Sequence, residues 1–427
     1  MKRLQKLLKV LELDNLQIIL GIIIIVIFIL YYKKQNFDIK EVIELPVLVA
    51  FLALYLLKKI SEIISSFFIN KIEDYIKIER DYNALIRRYP LETNFVTYDN
   101  QSCSPSNKEL FRTKVDTKHT KEEDQYTFPV IIEKDMTKDS LRIKSIKIED
   151  NKNKRYTLPD IIQDNYKHLM DAHSTSTLYN QINIRLDGIS EDIDSVILNT
   201  SRTQYYDSLV TNRVIDFPLP NGISVRDMLN PGPYVDLLEN SLLSNHLGFN
   251  IFIKTSDNKI VFVERSMDVS IGKGTLGSSV AASLKTRYCI DEDYNFHLEG
   301  LEKAVIEEIN DELGLIIDHH GFSIDKHLIA IYRELIEGGK PQFLFYIEIN
   351  ESEEQVQEYF LENLKIEDKK YETIVDGNRL AFLDLSKKSE FYLSPDSIFF
   401  NNESYAVLPS VSGTLAHLLT LMEIGNL

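Results

Sequence analysis

The sequence predicts a membrane protein in which a two-helix transmembrane hairpin precedes an α+β cytosolic domain. Two apolar runs lie close together near the N-terminus, whereas the rest of the chain alternates between β-rich and helical segments. Residues 1–80 carry a net charge of +3 and the remaining residues −20, within a chain of 427 residues and −17 overall. The two parts therefore differ in composition, and the acidic part is unsuited to binding duplex DNA or RNA.

The first apolar run, residues 16–32, contains 17 residues without a charge. As a helix it would be ~25 Å long, slightly less than the ~30 Å hydrocarbon thickness of a bilayer. It ends at Tyr31 and Tyr32 and is followed by Lys33, an order typical of a membrane interface. A signal peptide would be followed by a small-residue cleavage site, which is missing here. We expect residues 16–32 to span the membrane.

The second run, residues 42–57, has an uncharged part of 13 residues that starts at Leu45. Taken alone, it could also be a buried core helix. Its short distance from the first run favours a hairpin, and Lys58 ends it abruptly. Glu44 then fits an interfacial residue at a helix start better than an intramembrane acid. Residues 59–82 follow as a predicted helical stalk.

Charge distribution predicts the orientation of this hairpin. The excess of Lys and Arg lies outside the connector between the two runs, which favours cytoplasmic N- and C-termini. The chain has two cysteines, Cys103 and Cys289, in unrelated contexts. Their spacing fits neither a disulfide framework nor a thiolate zinc site, and a reducing compartment fits best.

Residues 83–246 are expected to form an α+β extension of the cytosolic domain. A polar segment near 100–126 is interpreted as a flexible loop. The remainder combines β-rich and helical patterns. Strands are expected within 128–134, 140–150, 154–162 and 181–189, and helical structure within 201–216 and 223–245.

From residue 247 to 427 the pattern is sharper. Residues 249–266 read as a hairpin whose turn contains Asp257 and Asn258. A Gly/Ser-rich segment, residues 272–283, follows, but its glycines lack the Walker A spacing and are weak evidence for a phosphate loop. Further on, residues 338–349 read as a strand.

Between them, residues 299–315 predict an amphipathic helix that ends at Gly314. Glu308, Asp311 and Glu312 share one face of this helix, at positions i, i+3 and i+4. Three like charges destabilise a helix unless a cation compensates them, and Mg²⁺ held by carboxylates and a phosphate would do so. A solvated acidic face is the alternative.

The run from Glu307 to Leu315 resembles the end of a Nudix box, G-x5-E-x7-R-E-U-x-E-E-x-G-U, where U is aliphatic. Glu308 takes the position of the Glu after the Arg, Asp311 and Glu312 that of the Glu pair, and Gly314 that of the Gly. Glu299 takes the position of the first Glu. The resemblance covers roughly residues 247–427 and implies a Nudix-like α-β-α domain, with Glu308, Asp311 and Glu312 as metal ligands.

Two departures from the box bear on activity. Glu307 stands where the box has Arg, and Asp293 stands where it has its leading Gly. A Glu at the Arg position adds repulsion to an already acidic site. Metal binding is therefore implied more strongly than efficient hydrolysis. If the domain is an enzyme, the resemblance makes it a hydrolase of nucleoside diphosphate derivatives, with Glu312 and Asp311 as catalytic carboxylates.

A two-span hairpin joined to such a domain is similar to the transmembrane–Nudix effectors of CBASS, anti-phage systems that signal through cyclic oligonucleotides. The resemblance implies a receptor for a cyclic nucleotide that oligomerises and breaches the bacterial inner membrane, without a required cofactor although Mg²⁺ is possible. An anionic ligand needs local positive charge in an acidic domain. Basic and hydroxyl side chains in and around the glycine-rich segment are therefore the expected ligand contacts: Arg265, Lys273, Ser278, Ser279 and Arg287.

Two functions stay open at this point. The first is a membrane-disrupting effector with a nucleotide sensor. The second is a membrane-anchored, Mg²⁺-dependent Nudix hydrolase of nucleoside diphosphate derivatives, in which a carboxylate activates water.

Overall fold

A large mixed β-sheet organises the part of the chain that the structure describes. The computed structural model describes residues 78–114, 124–142, 144–173, 179–266, 272–318, 321–365 and 377–427. The predicted spans and the stalk up to residue 77 lie outside these residues, so the membrane hairpin stays a prediction. No helix in the described ranges combines the length and the hydropathy that a membrane span requires.

The strands of the described residues are β1 (Phe95–Asp99), β2 (Gln125–Asp135), β3 (Ser145–Arg155), β4 (Ile182–Glu191), β5 (Ser195–Gln204), β6 (Gly248–Lys254), β7 (Lys259–Arg265), β8 (Leu276–Gly277), β9 (Val280–Ser283), β10 (Leu328–Glu334), β11 (Lys340–Glu348), β12 (Gly377–Asp384), β13 (Tyr392–Leu393), β14 (Ser397–Phe400) and β15 (Glu403–Ala406).

The α-helices of the same residues are α1 (Tyr82–Arg87), α2 (Pro105–Lys114), α3 (Asp139–Arg142), α4 (Asp160–Asp164), α5 (Tyr166–Met170), α6 (Tyr205–Leu209), α7 (Val225–Leu229), α8 (Thr286–Cys289), α9 (Leu298–Leu313), α10 (Ile324–His327), α11 (Glu353–Asn363) and α12 (Pro409–Glu423). Short 3₁₀ turns occupy Asp171–His173, Asn212–Val214, Leu335–Glu337 and Lys388–Glu390.

The large sheet has the strand order β1-β2-β10-β11-β6-β7-β12, with β9 paired to β6 and β8 to β7. Strands β6 and β11 run parallel, whereas the other pairs in this sheet are antiparallel. Two three-stranded sheets, β3-β5-β4 and β13-β14-β15, accompany it. The predicted α+β domain is therefore confirmed, as a mixed α+β domain with a large mixed sheet.

Side-chain alternation along β6 divides the core between the two faces of the large sheet. Phe249 and Ile251 belong to a buried cluster that includes Val305 of α9. Phe252 belongs to a second cluster that includes Leu415 of α12. Helices α9 and α12 therefore cover opposite faces of the sheet.

The sheet β3-β5-β4 packs on the same side as α9, since Ile184 and Val196 share the cluster of Val305. A buried ion pair ties β3 to β5, with Arg202 Nη1 2.6 Å from Asp150 Oδ1. The backbone N–H of Phe296 also donates to Asp150 Oδ2, at 3.0 Å. Because Phe296 lies just before α9, this contact fixes the approach of the chain to the helix.

The structure differs from the sequence predictions mainly within the extension. Helix α2 lies inside the expected loop near 100–126, because Phe111 is buried with its ring 4.3 Å from that of Tyr392. The helix expected within 201–216 begins only after β5, which pairs with both β3 and β4. Of the helical structure expected within 223–245, the short helix α7 forms.

Candidate functional site

The predicted amphipathic helix is present as α9, Leu298–Leu313. The apolar face of this amphipathic helix is buried and consists of Leu301, Ala304, Val305, Ile309 and Leu313. Gly314 ends the helix in the left-handed conformation, with φ of 71°, and its N–H donates to the carbonyl of Asn310. A glycine is favoured there because an L side chain rarely adopts positive φ.

Helix α8 lies against the first turn of α9. A Cβ placed on Gly300 would be 2.0 Å from the backbone carbonyl oxygen of Cys289. The close approach therefore requires glycine at position 300. It brings Lys285, which precedes α8, and Tyr288 of α8 next to the acidic side of α9.

Lys285 and Glu308 form an ion pair in this contact. The Nζ of Lys285 lies 2.5 Å from Oε1 of Glu308, and their side chains are 20% and 5% exposed. Burial raises the pKa of Glu308, and the charge of Lys285 opposes this shift. The cation at the carboxylate in the structure is therefore a lysine side chain of the same chain.

Tyr288 and Arg287 extend the contact along α9. The hydroxyl of Tyr288 donates to Oδ2 of Asp311 at 2.9 Å. Burial, together with this bond to a carboxylate, raises the pKa of Tyr288. The exposed guanidinium of Arg287 lies over the Tyr288 ring, 4.4 Å from its centroid. An exposed cation on an aromatic face is thus held at the edge of the site.

The arrangement of these carboxylates bears on the predicted Mg²⁺ site. Glu308 and Asp311 are bound by Lys285 and Tyr288, and Glu312 is half-buried on the same helix. Among the described residues, no group of three His, Cys, Asp or Glu side chains is placed to hold a metal ion. The side chains as arranged do not fit Mg²⁺, and a metal role for Glu308, Asp311 and Glu312 stays a prediction.

The glycine-rich segment lies elsewhere in the fold. Gly272 and Gly274, both with φ of 65°, flank the half-buried Lys273. A Cβ on Gly272 would be 2.9 Å from Cδ1 of Leu408, the residue that precedes α12. Arg265 ends β7, and its N–H donates to the carbonyl of Thr275. The structure therefore places Arg265 and Lys273 together, next to the start of α12, whereas Arg287 lies beside α9.

The two predicted hydroxyl contacts, Ser278 and Ser279, lie inside the sheet. Both are at most 2% exposed. Ser278 Oγ donates to Asn250 Oδ1 at 2.9 Å. Ser279 Oγ accepts from the N–H of Ile253 at 2.8 Å and donates to the carbonyl of Val261 at 2.6 Å. In this arrangement both serines hold strands together, and their role as ligand contacts stays a prediction.

Sequence reasoning missed Tyr288 and the partner of Lys285. The available signal was the order Lys285, Arg287, Tyr288 shortly before an acidic helix. The sequence pattern alone does not show that Lys285 and Glu308, which are 23 residues apart, form a pair. Their contact depends on the approach of α8 to α9, which Gly300 allows.

Comparison with known proteins gave no match to this chain, neither with a protein-family model nor with a curated protein.

Proposed function

We propose that this chain is a membrane-anchored receptor whose cytosolic domain binds a cyclic nucleotide. Binding drives oligomerisation, and the assembled N-terminal hairpins permeabilise the bacterial inner membrane in response to phage. The proposal rests on the resemblance to transmembrane–Nudix effectors and on the two apolar runs within residues 16–57. An α9 that ends at Gly314 and packs on a mixed sheet supports a Nudix-like domain.

The observation that carries the choice of a receptor over a hydrolase is the ion pair between Lys285 and Glu308. A metal-dependent hydrolase of this type needs an accessible carboxylate at the position of Glu308. Here that carboxylate is 5% exposed and its charge is balanced by Lys285 at 2.5 Å. Such a site favours binding of a ligand that the protein does not hydrolyse.

Arg287 and Tyr288 supply the chemistry for recognition. The exposed guanidinium of Arg287 suits a phosphate, and its planar group over the Tyr288 ring offers a surface on which a base stacks. A ligand shifts an assembly equilibrium only if it binds one state more tightly than the other. A site at a subunit boundary meets this condition.

The proposal is tested with the full chain reconstituted in liposomes that contain a self-quenched dye. We expect a member of a panel of cyclic di- and trinucleotides to release the dye, and Arg287→Ala to raise the concentration required at least tenfold. The cation–π contact contributes only ~0.5–1 kcal/mol, so Arg287→Ala should retain the fold. Arg155→Ala, which removes an exposed arginine at the end of β3, is the matched control.

The same samples distinguish the alternative, a Mg²⁺-dependent Nudix hydrolase. Its support is that Glu308 and Asp311 both face the segment from Lys285 to Tyr288, and so lie on one side of α9. Cleavage of a nucleotide by the full chain with Mg²⁺, abolished by Glu312→Gln, would establish the hydrolase. Absence of both binding and dye release across the panel would refute the receptor.

A further inference from the structure

A cavity of about 390 Å³ opens at the edge of the large sheet. Its volume is within the ~300–1,000 Å³ typical of small-molecule sites. It is lined by the end of β2, by residues around α3, by Glu191 at the end of β4 and by His417 of α12. Both the cavity and its charged groups are separate from the α8–α9 site.

Two features of β2 create this opening. Strand β1 begins at Phe95, which pairs with Ile131, so no described strand covers that side of β2 beyond Ile132. On its other side, Ile132 pairs with Tyr332 and Lys134 with Ile331, which leaves Glu133 as an extra residue. This β-bulge redirects the side chains that follow it, as bulges next to binding sites do.

The charged groups of the cavity have both signs, and two of them form no ion pair with the described residues. Glu191 is bound by Lys134 and by Lys144, the latter at 3.0 Å. In contrast, neither Asp135 nor Lys138 forms an ion pair with another described residue, although Asp135 Oδ1 accepts from the backbone and hydroxyl of Thr137. One carboxylate and one ammonium therefore remain to bind opposite charges.

His417 also lines the cavity. It lies in α12 among buried apolar residues, and its buried Nε2 has no hydrogen-bond partner in the described part of the chain. Burial and the charge of Lys138 lower its pKa, whereas the charge of Asp135 opposes this shift. The imidazole is therefore neutral at neutral pH. Phe95, Ile132 and Leu141 provide apolar surface next to it.

We propose that this cavity binds a small zwitterion of the amino-acid class. Its ammonium pairs with Asp135, its carboxylate with Lys138, and its apolar side chain packs on Phe95, Ile132 and Leu141. The mixed charge of the cavity disfavours ligands with a single charge. An anion would be repelled by the carboxylates of Glu133 and Asp135, and a cation would be repelled by Lys138. The inference does not depend on the proposed nucleotide receptor.

The test measures binding of free L-leucine, L-methionine and L-phenylalanine to the full chain in detergent micelles, by calorimetry and thermal shift. At least one amino acid should bind saturably at millimolar concentration or below. Analogues that lack one charge, 2-phenylethylamine and 3-phenylpropanoate for phenylalanine, should bind at least tenfold more weakly. Equal binding of an analogue would overturn the proposal, as would no binding of any amino acid.

Two variants assign the binding to this cavity. Lys138→Met and Asp135→Asn should each weaken binding of the amino acid at least tenfold. Lys138 is exposed and its variant should fold normally, so retained affinity in Lys138→Met refutes the proposal even if Asp135→Asn is unstable. The matched control is Lys167→Met, which removes an exposed lysine of α5 outside the cavity.

Discussion

Helices α9 and α12 cover opposite faces of one sheet, yet they differ in how they are buried. In α12, 11 of 15 residues are buried, whereas α9 buries 7 of 16. Helix α9 also contacts α8, which approaches its first turn and brings charged side chains next to it. The difference indicates that α12 mainly completes the core, whereas α9 both closes a core and presents a polar surface.

The two helices also differ in how their buried ionisable side chains are compensated. Glu308 of α9 is buried and has Lys285 as its counter-charge. His417 of α12 has a buried Nε2 without a partner among the described residues. A buried charge requires compensation, whereas a neutral imidazole is tolerated at a smaller cost. The two side chains therefore respond to substitution and to pH in different ways.

The largest expected effect is the loss of stability in Gly300→Ala of α9, which is compared with Gly413→Ala of α12. In Gly300→Ala the new Cβ lies 2.0 Å from a backbone oxygen of α8, so one helix must move. We expect a loss of more than ~3 kcal/mol in the free energy of unfolding. In Gly413→Ala the nearest atom is a methyl carbon of Val130 at 2.8 Å, and the gain in helix propensity of ~1 kcal/mol offsets part of the clash.

Urea unfolding of the full chain in detergent micelles, followed by circular dichroism, measures both variants. The Gly413→Ala variant should lose only ~1 kcal/mol, because a side chain adjusts more easily than a backbone does. If the two variants lost the same stability, the tight contact of α8 with α9 would not distinguish the two helices.

The next effect concerns the counter-charge of Glu308. Lys285→Met leaves the carboxylate buried without its cation and should cost ~3 kcal/mol at pH 7.5. The pKa of Glu308 is raised in the folded state, so its contribution to stability is complete below the usual value of 4.5 and is lost as pH rises through the folded value. The deficit of Lys285→Met should therefore shrink as the pH is lowered to 5.

The double variant Lys285→Met, Glu308→Gln provides the control for this interpretation. Removing the carboxylate along with its cation should restore more than half of the lost stability, because no uncompensated charge remains. A double variant as unstable as Lys285→Met would assign the loss to packing of the lysine stem instead.

The smallest effect is expected at His417. His417→Leu replaces an unpartnered polar atom by an apolar group and should raise the free energy of unfolding by ~1 kcal/mol at pH 7.5. The pKa of His417 is lowered by burial, so its contribution is present above the usual value of 6.5 and is lost as pH falls towards the folded value. The wild-type chain should lose this stability below pH 6.5, and the variant should not.

The pH profile of unfolding from 5 to 8 compares these two proteins directly. His417→Gln, which keeps a polar group but does not titrate, should also show the flatter profile, without the gain at pH 7.5. Identical profiles for the wild-type chain and His417→Leu would contradict a buried neutral imidazole.

The parts of the fold that the sequence predicted are those with local patterns. Apolar periodicity and Gly314 predicted α9, and a strand-like run predicted β11, which the structure forms as Lys340–Glu348. Prediction was poorer in the extension, where β5 is a strand because it pairs with β3 and β4. The candidate site was predicted only in part. The acidic face of α9 followed from local spacing in the sequence, but the side chains that contact it did not.

The sequence by itself determined the helix of Glu308, its glycine terminus and the grouping of its carboxylates, because these depend on the spacing of neighbouring residues. Only the tertiary structure decided that Lys285 neutralises Glu308, that Ser279 is buried between strands and that His417 lies at a cavity. The physical reason is that burial and pairing depend on which distant segments pack together. Glu308 and Lys285 are 23 residues apart and meet because Gly300 allows two helices to touch.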